Sequence, residues 1–480
     1  MSTTARVPVL VRPGEFEPEN HYYPRVLNAQ IHPLVRFFLG MDNARIAARY
    51  CHLHPLVKEE AVLHALTHKT THFRWGGADL FHAADADGVR RMYVIETNSC
   101  PSGQKSIPRL EEMEEQGSYR RLLSQTFVPM LKRRGLPPGA LAVLYDKNYM
   151  EVSGYAAVIA DLTGEDVWLV PCFVDDDPPW VRVNEKRIIE IRTPDDEWLE
   201  VRAAYRYVTQ RPWSRIPPIT RTLVFNPVVV CLAGGRNKML AAKAYDLHNA
   251  QIAEQGLRIE SPETIWDVSL REIPIWVERM GGCAVVKNPY SNAGQGVWTI
   301  TTESELAALM ESEQHYDQFI VQQLIGNVGW SSRSERGAIY HVGTVPNRHG
   351  KLYVADFRFM VGCGVDGFFP TAMYARRGRK SLEKEAPQDS WGVLGTNLSV
   401  KLPNGTWTTE SERLVLMDAR DFNRLGVGLD DMIDAYVQTV LSVTAIDEMS
   451  KRLITTKGRF GRKLFRSLNP DDALLEEIIQ

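Results

Sequence analysis

Between residues 140 and 235, short apolar runs alternate with a stretch of helical spacing, and this alternation narrows the fold more than any other feature of the chain. Leu141, Ala142, Val143, Leu144 and Tyr145 form a continuous apolar run that stops at Asp146. Residues 153–163 read as a helix, 166–170 as a second strand, and Leu223, Val224 and Phe225 as a third, closed by Asn226 and Pro227. Strands buried on both faces read as unbroken apolar runs, and parallel strands need a crossover between them, usually a helix. The segment is therefore expected to be a small α/β lobe with a parallel sheet.

The flanking segments follow other patterns. Residues 1–54 are rich in aromatics, His and Pro and read as irregular, with one helix around 34–51. Residues 56–71 carry Val57, Ala61, Leu63 and Leu66 at helical spacing, broken by Gly76 and Gly77. Residues 92–95 are a short strand, and Asp85, Asp87 and Gly88 look like the turn joining it to a strand through Asp79. A helix is expected over 236–247, strands over 283–287 and 318–323, and an antiparallel pair, 338–345 and 352–361, around Gly350. Residues 430–453 read as a helix, and the tail after Lys457 as surface.

Charge and cysteine use exclude several classes. Lys and Arg number 56 against 59 Asp and Glu, a formal net charge of -3, so no overall basic field suits nucleic acid. No apolar run reaches membrane-spanning length, and the first residues lack the apolar core of a signal peptide. The six cysteines form no C-x-x-C pair and read as reduced thiols. A cytoplasmic protein without nucleic-acid or membrane partners is expected.

Three groups of residues carry candidate chemistry. Val285 and Val286 lead into Lys287, and Ser291, Asn292, Ala293, Gly294, Gln295 and Gly296 follow at once. Small residues let backbone N–H groups approach phosphate oxygens, and the Lys supplies a point charge. The segment is not a P-loop, since no G-K-[ST] follows the glycines; read alone, it also fits a turn beside a solvated Lys. Lys238, opening the helix after Gly234 and Gly235, could reach the same phosphates or simply be exposed. The strand through Gln322, Gln323, Leu324 and Ile325 could present backbone groups to adenine.

The second group is oxygen-rich. Glu96 and Asn98 lie two apart and share a strand face, and Asp79 sits on the neighbouring strand. Mg²⁺ takes such hard oxygen donors together with phosphates, although a hairpin with a polar face explains the pattern too. The third group is Asp356 and Arg358 on an otherwise apolar strand, with Arg376 on the next and Asn397 beyond. Arg358 suits a γ-phosphate or a carboxylate, or a structural pair with Asp356.

Taken together, Lys238, Lys287 with its loop, the 322–325 linker, Asp356-x-Arg358, Asn397, Asp79 and Glu96-x-Asn98 resemble the residue set of the ATP-grasp superfamily. In ordinary members the metal-binding elements come last; here they come first, as in circularly permuted members. The element Glu96-Thr97-Asn98-Ser99-Cys100-Pro101-Ser102-Gly103 is similar to their E-x-N…P-S-G element. Two positions depart from the pattern: Gln322 stands where an acidic residue is usual, and Cys100 lies where permuted relatives carry an Arg.

The resemblance implies an α+β ATP-grasp fold, two lobes sandwiching ATP, with a small α/β pre-ATP-grasp lobe. It implies an N-terminal segment with the metal strands over 1–135, the pre-ATP-grasp lobe over 136–235, the ATP-binding lobe over 236–335 and the remaining core over 336–480. It implies ATP and Mg²⁺ as cofactors. Lys238, Lys287, Ser291, Gly294, Gln295, Gly296, Gln322, Gln323, Leu324, Ile325, Arg376 and Asn397 would bind the nucleotide. Asp79, Glu96 and Asn98 would hold the metal, with either Asp79 or Asp356 completing it, and Arg358 and Lys287 would act in catalysis. The expected activity is ATP-dependent joining of a small-molecule carboxylate and an amine into an amide through an acyl phosphate. An ATP-binding protein without ligase activity, or a phosphotransferase on the same fold, is the alternative. A zinc site on His64, His68 and His72 is a further reading, which requires all three on one helix face.

Overall fold

The computed structural model describes residues 6–111, 113–212, 215–291, 294–401 and 407–479. Asn292 and Ala293 of the glycine-containing loop lie outside the described residues.

Three of the four sheets among the described residues organise the α+β chain. The first is the α/β lobe. Strands Val167–Pro171, Ala140–Tyr145, Trp198–Tyr207 and Leu223–Phe225 run parallel in that order, and helix Tyr149–Thr163 makes the first crossover. Gly164, at φ 69°, ends the helix in a left-handed conformation that glycine adopts without strain. The parallel lobe expected from the apolar runs is present, but its central strand Trp198–Tyr207 was hidden. Its charges break the apolar run, and Arg206 is fully buried, donating to the carbonyls of Asn226 at 2.7 Å and Val208 at 2.6 Å. Strand Val9–Val11, in the segment expected to be irregular, pairs antiparallel with Val167–Pro171.

The second sheet is antiparallel, in the order Thr264–Ser269, Gln318–Gln322, Ala284–Lys287, Val297–Ile300. It has its own core, in which Val286, Ile300, Phe319 and Val321 meet Ile273 and Val277 of helix Ile273–Arg279. In the third sheet Trp75–Asp85 lies against Leu352–Gly364, which pairs with Gly367–Arg377, which pairs with Leu414–Val415. Arg90–Asn98 returns along Trp75–Asp85, placing Asp79 opposite Glu96 and Gly77 opposite Asn98. The 24-residue helix Leu429–Arg452 packs on this sheet, as its apolar spacing predicts.

Four local expectations are corrected. The helix over 34–51 is two helices, Pro33–Leu39 and Asn43–Leu53, because the chain stops at Gly40 and Asp42 caps the second by accepting from Arg45 N at 2.8 Å. The helix over 56–71 is Glu59–Thr67. Beyond it the buried carboxylate of Asp447 takes the backbone N–H groups of Thr71, His72 and Phe73 at 2.7–2.9 Å, so His64, His68 and His72 share no helix face. The strand over 338–345 is two short strands: Ile339–His341 joins Trp75–Asp85, and only Thr344–Pro346 pairs with Leu352–Gly364. The tail is not simply surface: it forms helices Arg462–Leu468 and Asp472–Ile479, with Phe465, Leu474 and Asp471 buried.

Candidate active site

A cleft runs between the four-stranded sheet and the sheet that holds Trp75–Asp85. Val285, Lys287, Val297 and Gln322 line it from the first, and Asp79, Phe81, Glu96, Asp356 and Arg376 from the second. A separate core on the four-stranded side is what allows two surfaces to face each other here instead of merging.

The two lysines meet at the cleft. Lys287 ends its strand buried, donating to Gln322 Oε1 at 2.6 Å and reaching the Ile95 carbonyl at 3.4 Å. Burial and the neighbouring Lys238 ammonium pull its pKa down to about 8 against the pull of Glu96. Lys238 is the first residue of helix Lys238–Ile252, whose start Asn237 caps through Leu240 N. Its ammonium contacts Glu96 at 3.3 Å and the Ser291 carbonyl at 2.9 Å, joining the hairpin to the loop.

The loop is closed by Asn288 N donating to the Gly296 carbonyl at 2.8 Å. Gly294 and Gly296 have φ of 76° and 64°, which side chains resist. A Cβ on Gly294 would lie 2.5 Å from both Asn397 Nδ2 and Trp391 Cζ2, so the loop tip rests on these two residues. Ser291, Gly294 and Asn397 line the cleft, whereas Gln295 is exposed and does not.

The 322–325 linker also lines the cleft, but much of its polarity is engaged. Leu324 N donates to Ser332 Oγ at 2.7 Å, and its carbonyl accepts from Ser332 N at 3.1 Å and Ser331 Oγ at 3.0 Å. Gln323 Nε2 donates to the Gly337 carbonyl. The 330–332 turn thus takes both backbone groups of Leu324. What Leu324 and Ile325 add, with Phe81, Val285, Val297, Trp391 and Leu394, is apolar lining suited to a flat ring.

The oxygen-rich residues share one face of the hairpin, but they differ in freedom. Arg358 grips Asp79 with two bonds of 2.5 and 2.7 Å, and Arg376 lies 3.0 Å from the same carboxylate. Burial alone would raise the Asp79 pKa; the two guanidinium groups more than offset it and hold the carboxyl ionised, well below the usual range. Asp356 is paired with Arg376. Glu96 is partly open, and Asn98 Nδ2 is buried without a hydrogen bond. Among the described residues no group of three or more His, Cys, Asp or Glu could hold a metal ion. Of the three expected ligands, Asp79 is held by the two guanidinium groups, which leaves Glu96 and Asn98 as the oxygen donors open to a cation such as Mg²⁺, which commonly takes one or two carboxylates and completes its shell with water and substrate phosphate.

Several lining residues escaped the sequence reading. Trp391 sits on the five-residue helix Ser390–Leu394, whose cap Asp389 was the only local signal. Lys105, Lys147 and Arg236 border a second cavity together with Arg358, Arg376 and Asn98. No spacing rule connects positions this far apart in sequence. Arg121 donates to the Leu39 carbonyl at 2.9 Å.

Two facing α+β lobes with a small parallel α/β lobe beside them match the expected layout. No protein-family model and no curated protein matches the chain. Among solved structures it is similar to a glutathione synthetase-like effector from Globodera pallida in apo form, at TM-score 0.38 and 8% identity over 77% of this chain and 87% of that one. It is also similar to a RimK domain ATP-grasp protein from Sphaerobacter thermophilus (TM-score 0.28, 14% identity, 62% and 99% covered). A third is D-alanyl-alanine synthetase A from Vibrio cholerae (TM-score 0.29, 12% identity, 49% and 87% covered). Likeness of this degree carries no argument about activity or substrate. Among the described residues no helix is long and apolar enough to cross a membrane.

Proposed function

We propose that the chain is an ATP-dependent carboxylate–amine ligase whose ATP-grasp parts are circularly permuted, its metal strands in 1–135 preceding the pre-ATP-grasp and ATP-binding segments. One observation carries this reading: Lys238, Lys287, Glu96, Asp79 and Arg376 converge on a single cleft whose other end is apolar. Fixed cations at one end suit a polyphosphate, and a hydrophobic slot at the other suits a base.

In this reading Phe81, Leu324, Ile325 and Trp391 enclose adenine, and Lys238 and Lys287 bind phosphates. Glu96 and Asn98 would hold Mg²⁺, with Asp79 joining them once Arg358 releases it, and the ion would neutralise phosphate charge. Arg358 transfers part of its grip from Asp79 to the moving phosphoryl group. The acid's carboxylate oxygen attacks the γ-phosphorus and ADP leaves; the amine nitrogen then attacks the acyl carbon, phosphate leaves and a proton is released. Phosphoryl transfer depends on positioning and charge neutralisation, which these residues supply without covalent participation. The Ser291–Gly296 loop over Asn397 and Trp391 would keep water from the acyl phosphate.

The test is ADP and phosphate release from Mg·ATP with pools of acids, with and without amines. Acid-dependent release that an amine accelerates, and that Lys287→Ala and Glu96→Ala each reduce by about 10²-fold or more, is expected. Full activity in Lys287→Ala would refute the assignment. A phosphorylated product with no amide would indicate the phosphotransferase instead.

A further inference from the structure

The second cavity opens at the phosphoryl end of the cleft, sharing Glu96, Arg376 and Asn397 with it. Its wall carries five cationic side chains, Lys105, Lys147, Arg236, Arg358 and Arg376. Most have visible partners. Arg358 and Arg376 answer Asp79 and Asp356. Lys105 lies 3.9 Å from buried Glu151, whose carboxylate also takes Ser102 Oγ and the N–H groups of Gly103 and Gln104 at 2.5–2.9 Å. Arg236 donates to the Cys100 carbonyl at 2.8 Å.

Lys147 differs. It has no hydrogen bond or ion pair with any described residue. The carboxylate next to it in sequence, Asp146, is taken by Thr209 N at 2.8 Å and Gln210 N at 2.6 Å. The one carboxylate among the described residues that line the cavity, Glu96, is paired with Lys238. Burial and the like charges of Arg236 and Arg358 pull the Lys147 pKa down to about 8, with Asp146 opposing. A half-buried ammonium facing two guanidinium groups is costly, and an anion seated beside it offsets that cost.

We propose that this cavity receives an anionic oxygen group of the acid substrate other than the carboxylate being activated, with Lys147 as its main partner. The substrate class is then small acids bearing two or more anionic groups, a second carboxylate or a phosphate. The proposal rests on the ligase reading for which end of the acid reacts. The cavity supplies the specificity: a Lys point charge suits either oxyanion, and Tyr374 on the same wall adds a hydroxyl.

The experiment is calorimetric titration of the full-length protein, without nucleotide, with butyrate, glutarate, citrate and 3-phosphoglycerate, and of the same preparation with Mg·ATP. At least one multi-anionic probe should bind tighter than butyrate by about tenfold or more, the scale of a charged hydrogen bond. Citrate against 3-phosphoglycerate separates carboxylate from phosphate as the second group. Lys147→Met should erase the preference, Lys147→Arg should largely restore it, and Lys147→Gln serves if the Met variant does not fold. Equal binding of butyrate and all multi-anionic probes, or a preference that survives in folded Lys147→Met or Lys147→Gln, overturns the proposal. If multi-anionic probes bind through Lys147 while Mg·ATP does not bind, the ligase reading falls and the anion site stands.

Discussion

At the residue scale, Lys287 illustrates how burial sets chemistry. Its pKa is drawn down to about 8 because the strand delivers it into the interior next to Lys238. A phosphate beside it favours the ammonium, so nucleotide binding and protonation are coupled. The group is protonated below about pH 8 and loses its proton above. ATP affinity should therefore hold up to about pH 7.5 and fall as pH rises through 8, with proton uptake on binding in that upper window. Calorimetry at pH 8.5 in two buffers of different ionisation enthalpy would measure that uptake; none in the wild-type protein would contradict the linkage. Lys287 and its glycines were legible in the sequence because strand, cation and small residues are contiguous. Lys147 was not, because its isolation depends on Asp146 being engaged by residues more than sixty positions away.

At the element scale, the loop over residues 291–296 matters more than any single donor in it. Its tip meets Asn397 and Trp391 from a distant segment, and Gly294 leaves room for nothing larger. Gly294→Ala brings both a Cβ clash and a positive-φ cost, which the loop can relieve by lifting from the cleft. The expected outcome is about tenfold weaker ATP binding with a thermal midpoint within a few degrees of wild type. A variant with unchanged ATP affinity would show that this contact does not shape the nucleotide site. In the α/β lobe, strands Ala140–Tyr145, Val167–Pro171 and Leu223–Phe225 were readable from their apolar runs. Trp198–Tyr207 was not, because a buried Arg206 imitates an exposed position unless its carbonyl partners are known. The 56–71 segment failed for a related reason: its helix ends at Thr67, and Asp447 takes the N–H groups of Thr71, His72 and Phe73 beyond it.

At the scale of the whole molecule, Asn226 ties the α/β lobe to the sheet that holds Trp75–Asp85. Its side chain accepts from Arg74 N and Trp75 N at 2.9 and 3.3 Å and donates to the carbonyls of Trp75 and Ser99 at 2.6 and 2.8 Å. It therefore touches both strands of the Asp79–Glu96 hairpin where they enter and leave the cleft. Asn226→Ala strands buried backbone groups on both, and a loss of about 2–4 kcal/mol in unfolding free energy is expected. Denaturant titration measures it; a change under about 0.5 kcal/mol would show that the lobes do not depend on this residue.

What the sequence determined by itself is the set of local elements and the chemistry they carry: parallel strands from unbroken apolar runs, a hairpin with oxygen donors on one face, a lysine handed to a glycine loop. These follow from spacing of two or 3.6 residues and from turn chemistry, which act over a few positions. Only the tertiary structure decided which charges are already answered. Asp79 is gripped by Arg358 and Arg376, Leu324 by a serine turn, and Lys147 by nothing described. Whether a polar group is available for a ligand depends on partners brought together across the fold, and no local pattern encodes them.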